Sequence, residues 1–264
     1  MSKVQDIKKS SLTFAPEAGS QRMRNVINKG LTEEVILDGA GKAFEGGWNK
    51  VKLYFMLGLP TETEDDMKEI AHLSEKVTRR YYEIPKDQRH GKCQITASSS
   101  FFVPKPFTPF QWEPEDSMES LRAKQKHLLE SIPTKKIKVS YHETPTSLLE
   151  GVLARGDRRL SAVLYDAFKN GCKFDSWDEQ FKFDVWMEAF RKNGIDPYFY
   201  TQRRRDFSEV LPWDHLDYGI TRKFLERENI KAHENVTTPH CRIKCAGCGA
   251  NMLNGGYCDA RNKN

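Results

Sequence analysis

The sequence predicts an α/β protein with a parallel-stranded first part, a mostly helical extension and a short Cys-rich tail. Three observations carry this. Strand-like and helix-like segments alternate through the first two-fifths of the chain, with helical connections of roughly 15–20 residues, the pattern of parallel βαβ units. Helical periodicity dominates the later part of the chain. Four of the six cysteines, Cys241, Cys245, Cys248 and Cys258, fall in the last 24 residues. The expected division is residues 1–133, 134–234 and 235–264.

The elements run in order from the N-terminus. Ser11–Ala15 is β-prone and closes on Pro16. A helical stretch from Ser20 to Asn28 ends at Gly30, where a left-handed residue suits a helix end. Thr32 can cap a second helix, with Glu33 and Glu34 well placed against its N-terminal dipole. That helix ends near Gly46-Gly47. The next strand, Lys50–Met56, turns at Gly58-Leu59-Pro60. Thr63-Glu64-Asp65-Asp66 reads as a capping box opening a helix to about Tyr82. A third strand spans Gln94–Ser99. The run Phe101–Phe110, dense in proline and aromatics, reads as an ordered extended loop. Helices are expected over Met118–Ser131, Thr146–Arg155, Arg158–Asn170 and Phe181–Asn193, with one strand at Lys136–Tyr141. The segment from Asn235 onward reads as irregular.

Composition bounds the function. The chain has 264 residues, 38% hydrophobic and 30% charged, a globular balance. The net charge of +5 is too small to argue for nucleic acid by itself. No apolar run approaches the ~20 residues of a membrane helix. The first ten residues show no signal-peptide core. A cytoplasmic protein with no membrane partner is the expectation, and clustered cysteines there point to metal rather than to disulfides.

Chemistry concentrates in four places. The tail reads Cys241-x3-Cys245-x2-Cys248, then Cys258. Four thiolates can close a tetrahedral zinc site or hold the irons of a cluster, and the spacing does not choose between them. His240 is a possible substitute ligand. Past the first strand lies Ala15-Pro16-Glu17-Ala18-Gly19-Ser20, and past the second Leu57-Gly58-Leu59-Pro60-Thr61-Glu62-Thr63. The third strand carries Ser98-Ser99-Ser100 into Val103-Pro104-Lys105-Pro106. In a parallel βα barrel the C-terminal strand ends converge on one mouth and line the ligand site.

These residues resemble a family. Glu17-Ala18-Gly19-Ser20, with Met23, Val26, Ile27 and Lys29-Gly30-Leu31-Thr32, is similar to the fourth-strand signature of radical S-adenosylmethionine (SAM) enzymes. Leu57 to Asp66 resembles their fifth-strand signature, as in the methylthiotransferase and Elongator-type branches. Phe102 to Trp112 looks like the sixth-strand exit of an uncharacterised branch whose longer members carry a cobalamin-binding-like domain upstream. Leu149–Arg159, Lys173–Trp177 and Leu211–His215 are similar to that branch too, so the resemblance covers about nine-tenths of the chain.

The resemblance implies the second half of an open parallel (β/α) TIM-like barrel, strands four to six. It implies SAM and a [4Fe–4S] cluster as cofactors, with reductive cleavage of SAM to a 5′-deoxyadenosyl radical. By motif match, Glu17 would meet the ribose or methionyl amine of SAM and Lys29 its carboxylate. Ser20 and Pro60 belong to the same loops. The backbone around Leu57, Gly58 and Ser99 would flank the adenine, and Ser98 is a further cofactor-binding candidate on the same strand end. The catalytic cluster of this superfamily sits on a Cys-x3-Cys-x2-Cys loop after the first barrel strand, yet no cysteine here precedes Cys93. The tail triad has that spacing, but it lies after the barrel and has Gly247 where the family's loop carries an aromatic. It is therefore read as an auxiliary cluster or a zinc site. The expectation is a SAM-binding half that lacks the catalytic cluster motif, is inactive alone, and partners with the N-terminal half or a neighbouring chain. The competing reading is a non-enzymatic zinc-bearing module that binds RNA through Arg203-Arg204-Arg205 beside Tyr198, Phe199 and Tyr200.

Overall fold

The computed structural model describes residues 10–255. They form two compact units. The first holds the described residues up to Phe102, with Glu119–His142 and Glu228–Ala246; the second holds Val103–Met118, Glu143–Arg227 and the described residues from Gly247.

The first unit is built on β1 (Leu12–Glu17), β2 (Lys50–Leu57), β3 (Gln94–Phe101) and β4 (Ile137–Tyr141). All three pairings are parallel and the strands lie in sequence order. The helices are α1 (Gln21–Val26), α2 (Glu33–Glu45), α3 (Glu64–Tyr82) and α4 (Met118–Ser131). Parallel crossovers between successive neighbours, by rule right-handed, bring α2, α3 and α4 back onto the same side of the sheet. The core shows this directly. Val51, Leu53, Phe55 and Leu57 of β2 and Ile95, Ala97 and Phe101 of β3 pack with Ile36 and Phe44 of α2, Ile70, Leu73 and Val77 of α3, and Leu121 and Leu128 of α4. The intervening residues point the other way. Lys50, Lys52, Gln94, Thr96, Lys138 and Ser140 line a polar hollow of about 330 Å³ on that second face. An α/β architecture with a four-stranded parallel sheet is thus established.

Local chemistry sets the boundaries. Thr32 accepts from the Val35 N–H at the start of α2. Thr63 and Asp66 form the expected capping box of α3. One boundary is corrected: β1 continues through Pro16 to Glu17. As an outer strand it loses no ladder bond to proline's missing N–H, and its register shifts between Phe14 and Glu17.

The second unit packs α5 (Thr144–Arg155), α6 (Leu160–Lys169), α7 (Phe183–Lys192) and α8 (Pro197–Thr201) around Leu148, Val152, Val163, Trp186, Phe190 and Tyr200. Two helices lie outside the sequence reading. They are α8, which is one turn long, and α9 (Arg222–His233), whose charged sequence hides its period. The expected irregular tail contains a short 3-10 helix at Ala250–Asn254. Among the described residues no helix is long and apolar enough to cross a membrane.

The second unit also buries charge. Arg155 is fully enclosed, donating to the Tyr200 and Pro104 carbonyls, and burial pulls its pKa down to about 9. Glu115 accepts a 2.9 Å bond from the Ser147 hydroxyl, and its other oxygen has no partner among the described residues. Burial pushes the Glu115 carboxyl up to about 7, against the lowering effects of Ser147 and Arg155. The unfolded chain releases that proton near the ordinary value of 4.5. Between these values the folded state holds a proton that the unfolded state has lost, so stability falls as pH rises through about 7. Glu115→Gln keeps an acceptor for Ser147 and cannot ionise. Its unfolding free energy from urea titration should match the wild type near pH 4 and exceed it at pH 8.5 by on the order of 3 kcal/mol. The same difference at both values would show that Glu115 ionisation is not the cause.

Candidate functional site

The candidate site is the C-terminal edge of the sheet in the first unit. β1 delivers Glu17 there in a left-handed conformation, φ +67°, which a non-glycine residue adopts only when its surroundings hold it. Its carboxylate lies 3.3 Å from the Lys29 ammonium, and both groups are partly exposed. The second strand ends at Leu57, whose carbonyl accepts the Phe102 N–H at 2.8 Å. Gly58 follows at φ +86°, and its N–H donates to Glu62 at 2.8 Å. Glu62 also accepts from Lys124 at 2.9 Å, with its side chain only 3% exposed. This buried ion pair stands beside the strand end. No local pattern signals it, because its partners are 62 residues apart.

The pleat sorts the serines of β3. Ser99 shares its parity with Ile95, Ala97 and Phe101, so its side chain faces the helices, and its buried hydroxyl has no hydrogen-bond partner among the described residues. Ser98 alternates to the other face. The Leu57 side chain is in the core. At Leu57 and Ser99, therefore, only backbone can meet a ligand.

Ser20 and Pro60 do other work. Ser20 caps α1 by accepting from the Met23 N–H and donates to Asp66 at 2.6 Å. Pro60 belongs to the turn closed by the Glu62 N–H on the Leu59 carbonyl. Arg22 forms an ion pair with Asp66 and donates to the Thr61 carbonyl at 2.7 Å. Burial alone would raise the Asp66 carboxyl; the bonds from Arg22, Ser20 and Thr63 outweigh it and hold the group well below the usual carboxylate range. The loops after β1 and β2 are thus bonded to one another through Asp66.

Gly19 makes the tightest of these contacts. A Cβ there would sit 2.1 Å from the Ile70 backbone nitrogen and 2.4 Å from the Glu69 carbonyl carbon. Arg24, itself buried, donates to the Ala18 and Gly19 carbonyls at 3.0 and 2.7 Å and so fastens the loop from its other side.

The tail is less gathered. Cys241 and Cys245 belong to the first unit and Cys248 to the second, while Cys258 lies outside the described residues. Among the described residues no three His, Cys, Asp or Glu side chains are grouped closely enough to hold a metal ion. The Cys248 carbonyl accepts the Thr221 N–H at 2.8 Å. The arginine run is not an open basic face: Arg203 pairs with Glu209, Arg204 with Glu113, and Arg205 is buried. Of the neighbouring aromatics, Tyr200 is in the core and Phe199 lies under Arg203.

Comparison with known proteins adds one relative. The chain is 38% identical over 164 residues to a protein of Methanocaldococcus jannaschii described only as uncharacterized. The match takes in 62% of this chain and 34% of the relative, so the chain spans about a third of that protein's length. No family model matches, and no solved structure matches.

The Gly19 contact yields a prediction. The atoms a methyl would meet are backbone, which moves only with the helix, so Gly19→Ala should cost about 2 kcal/mol in urea unfolding, as overpacking does. A variant as stable as the wild type would mean that the loop is free to move off α3.

Proposed function

We propose that this chain is the SAM-binding half of a radical SAM enzyme, with its sheet forming strands four to six and a following strand of an open parallel βα barrel. One observation carries the reading. The three segments that resemble the family's strand-end signatures emerge side by side at one edge of a parallel sheet wound in sequence order, which is how strands follow one another around a barrel. Each half of a doubly wound sheet is ordered in the same way, so the order selects a run of parallel βαβ units and the strand-end motifs select the barrel.

The residues at that edge suit the cofactor. Glu17 and Lys29 offer an anion and a cation 3.3 Å apart, both partly open to solvent, to a ligand that carries an ammonium and a carboxylate. Glu17 can also accept from ribose hydroxyls. At Gly58 and Ser99 it is backbone that would meet an adenine, since Gly58 has no side chain and the Ser99 side chain faces the helices. Bound beside a reduced [4Fe–4S] cluster, SAM supplies radical chemistry, and the protein positions and shields it. Glu62 and Lys124 brace the Gly58 turn, and Asp66 ties it to the Glu17 loop.

SAM should bind this chain weakly. Each neutral hydrogen bond contributes on the order of 1 kcal/mol, and ordering the ligand costs several, so calorimetry should give a Kd near roughly 1 mM. Glu17→Ala should weaken it about tenfold, because a bond to a charged acceptor is lost. Adding the relative's remaining length as a separate polypeptide, reconstituted with iron and sulfide, should tighten binding and release 5′-deoxyadenosine on reduction. A complemented, reduced sample that neither binds SAM nor forms 5′-deoxyadenosine sinks the assignment.

The tail enters the proposal on its spacing alone, as an auxiliary iron–sulfur or zinc site of Cys241, Cys245, Cys248 and Cys258. The described residues do not gather three of these donors, so no step is routed through it. Protein prepared without oxygen should retain iron with sulfide charge-transfer absorption, or about one zinc per chain. Cys245→Ser should abolish retention, and Cys258→Ser should weaken it less, since His240 can substitute. Metal-free protein after anaerobic reconstitution rules the site out.

A further inference from the structure

The second unit contains a hollow that the SAM reading does not use. It has a volume of about 350 Å³ and is lined by Phe107, Gln111, Asp214–Tyr218, Ile220, Arg222 and Leu225. Ligand pockets begin near ~300 Å³, so it is large enough for one small organic group.

Its floor is Gln111, which is 3% exposed. The Gln111 side-chain oxygen accepts the Phe107 N–H at 3.0 Å and the Trp213 indole N–H at 2.7 Å. Both neighbours are donors, so only the oxygen can face them, and the orientation of the amide is settled. The amide NH₂ is left without a hydrogen-bond acceptor among the described residues, yet it is not sealed from solvent. A buried amide with two free N–H donors opening on a cavity is a group that awaits an acceptor.

The rim offers the complementary chemistry. Asp214 uses Oδ2 for the Leu211 N–H and for Arg222, leaving Oδ1 free. Asp217 uses Oδ1 for the Gly219 N–H, leaving Oδ2. The guanidinium of Arg222 is already committed to Asp214, Glu226 and the carbonyls of Phe207 and Glu209. Tyr218 stacks on Phe107 at 4.2 Å with the rings 17° apart, and is nevertheless 59% exposed. One face of the Tyr218 ring rests on Phe107 and the ring stays open to solvent, among lining residues that also supply one pair of donors and two carboxylate oxygens.

We propose that this hollow binds a nucleobase that carries a ring acceptor beside an amino group. The free carboxylates and the committed arginine disfavour a phosphate inside it, so the phosphate of any nucleotide stays outside. A simple cation would answer the carboxylates and the rings but leave the Gln111 N–H groups unmet. A base answers all three: its acceptor takes the amide, its amino group meets a carboxylate, and its face stacks on Tyr218. The base arrives on a free nucleoside or on single-stranded RNA. The proposal is independent of the SAM reading, since it rests on residues of the other unit.

Calorimetry of the full chain with adenosine, guanosine, cytidine, uridine and a single-stranded RNA hexamer tests it. Saturable binding of adenosine, guanosine or cytidine, at least fivefold tighter than uridine, supports a free nucleoside; binding of the hexamer alone supports RNA. Two variants locate the site. Tyr218→Ala removes an exposed ring and should weaken binding about tenfold. Gln111→Glu keeps the acceptor for Phe107 and Trp213 but replaces the NH₂, and should weaken it at least tenfold with an unchanged circular dichroism spectrum. If Gln111→Glu unfolds, Tyr218→Ala still decides. Glu17→Ala should leave guanosine and cytidine binding as it was. The proposal is overturned if the wild type binds neither nucleoside nor hexamer at 10 mM ligand. It is also overturned if binding survives Tyr218→Ala, falls with Glu17→Ala, or is matched by a simple sugar or an alkylguanidine.

Discussion

The loop that follows β1 lies directly on the backbone of α3, and the absence of a side chain at Gly19 is what permits it. Most of the candidate site depends on that contact. With the loop seated, Ser20 can cap α1 and reach Asp66, Arg22 can reach both Asp66 and the Thr61 carbonyl, and Arg24 can close over the Ala18 and Gly19 carbonyls. Glu17 is then held at positive φ at the strand end, where the Lys29 ammonium meets it. Two segments that read as separate motifs in the sequence are one bonded assembly in space, and Asp66 is the member they share.

The sheet imposes the second constraint. Parallel sheets are ordinarily covered on both faces, but strands added in sequence order by right-handed crossovers send every helix to one side. Here that side receives the apolar residues of β2 and β3, while Lys50, Lys52 and Lys138 stand on the other. Such a face is too polar to bury a second layer of helices as the first face does.

Much of this was legible from the residues alone. Alternating strand and helix patterns, the Thr32 cap, the Thr63–Asp66 box and all of α4 stand where the local chemistry puts them. Local signals are short in range, and the elements that escaped them lack such signals. The short α8 has only five residues, and α9 has charges on most of its surface. Pro16 misled because its cost depends on whether the strand is an outer one, which is a property of the sheet. The candidate site divides in the same way. Glu17 and Lys29, which pair in the structure, belong to one short stretch of sequence, whereas the Glu62–Lys124 pair and the amide of Gln111 depend on contacts between distant segments. The basic run Arg203–Arg205 shows how neighbours in sequence part in space: Arg203 and Arg204 each pair with a different glutamate, and Arg205 is buried.

The sequential order of the sheet has a consequence for how the protein is made. No strand has to be inserted between two that are already paired, because each new one joins the edge left by its predecessor. Every pairing closes a loop of a few dozen residues at most, which keeps the entropy of closure low and the contacts comparatively local. The sheet can therefore grow strand by strand as the chain leaves the ribosome, with each crossover helix docking before the next strand has been synthesised.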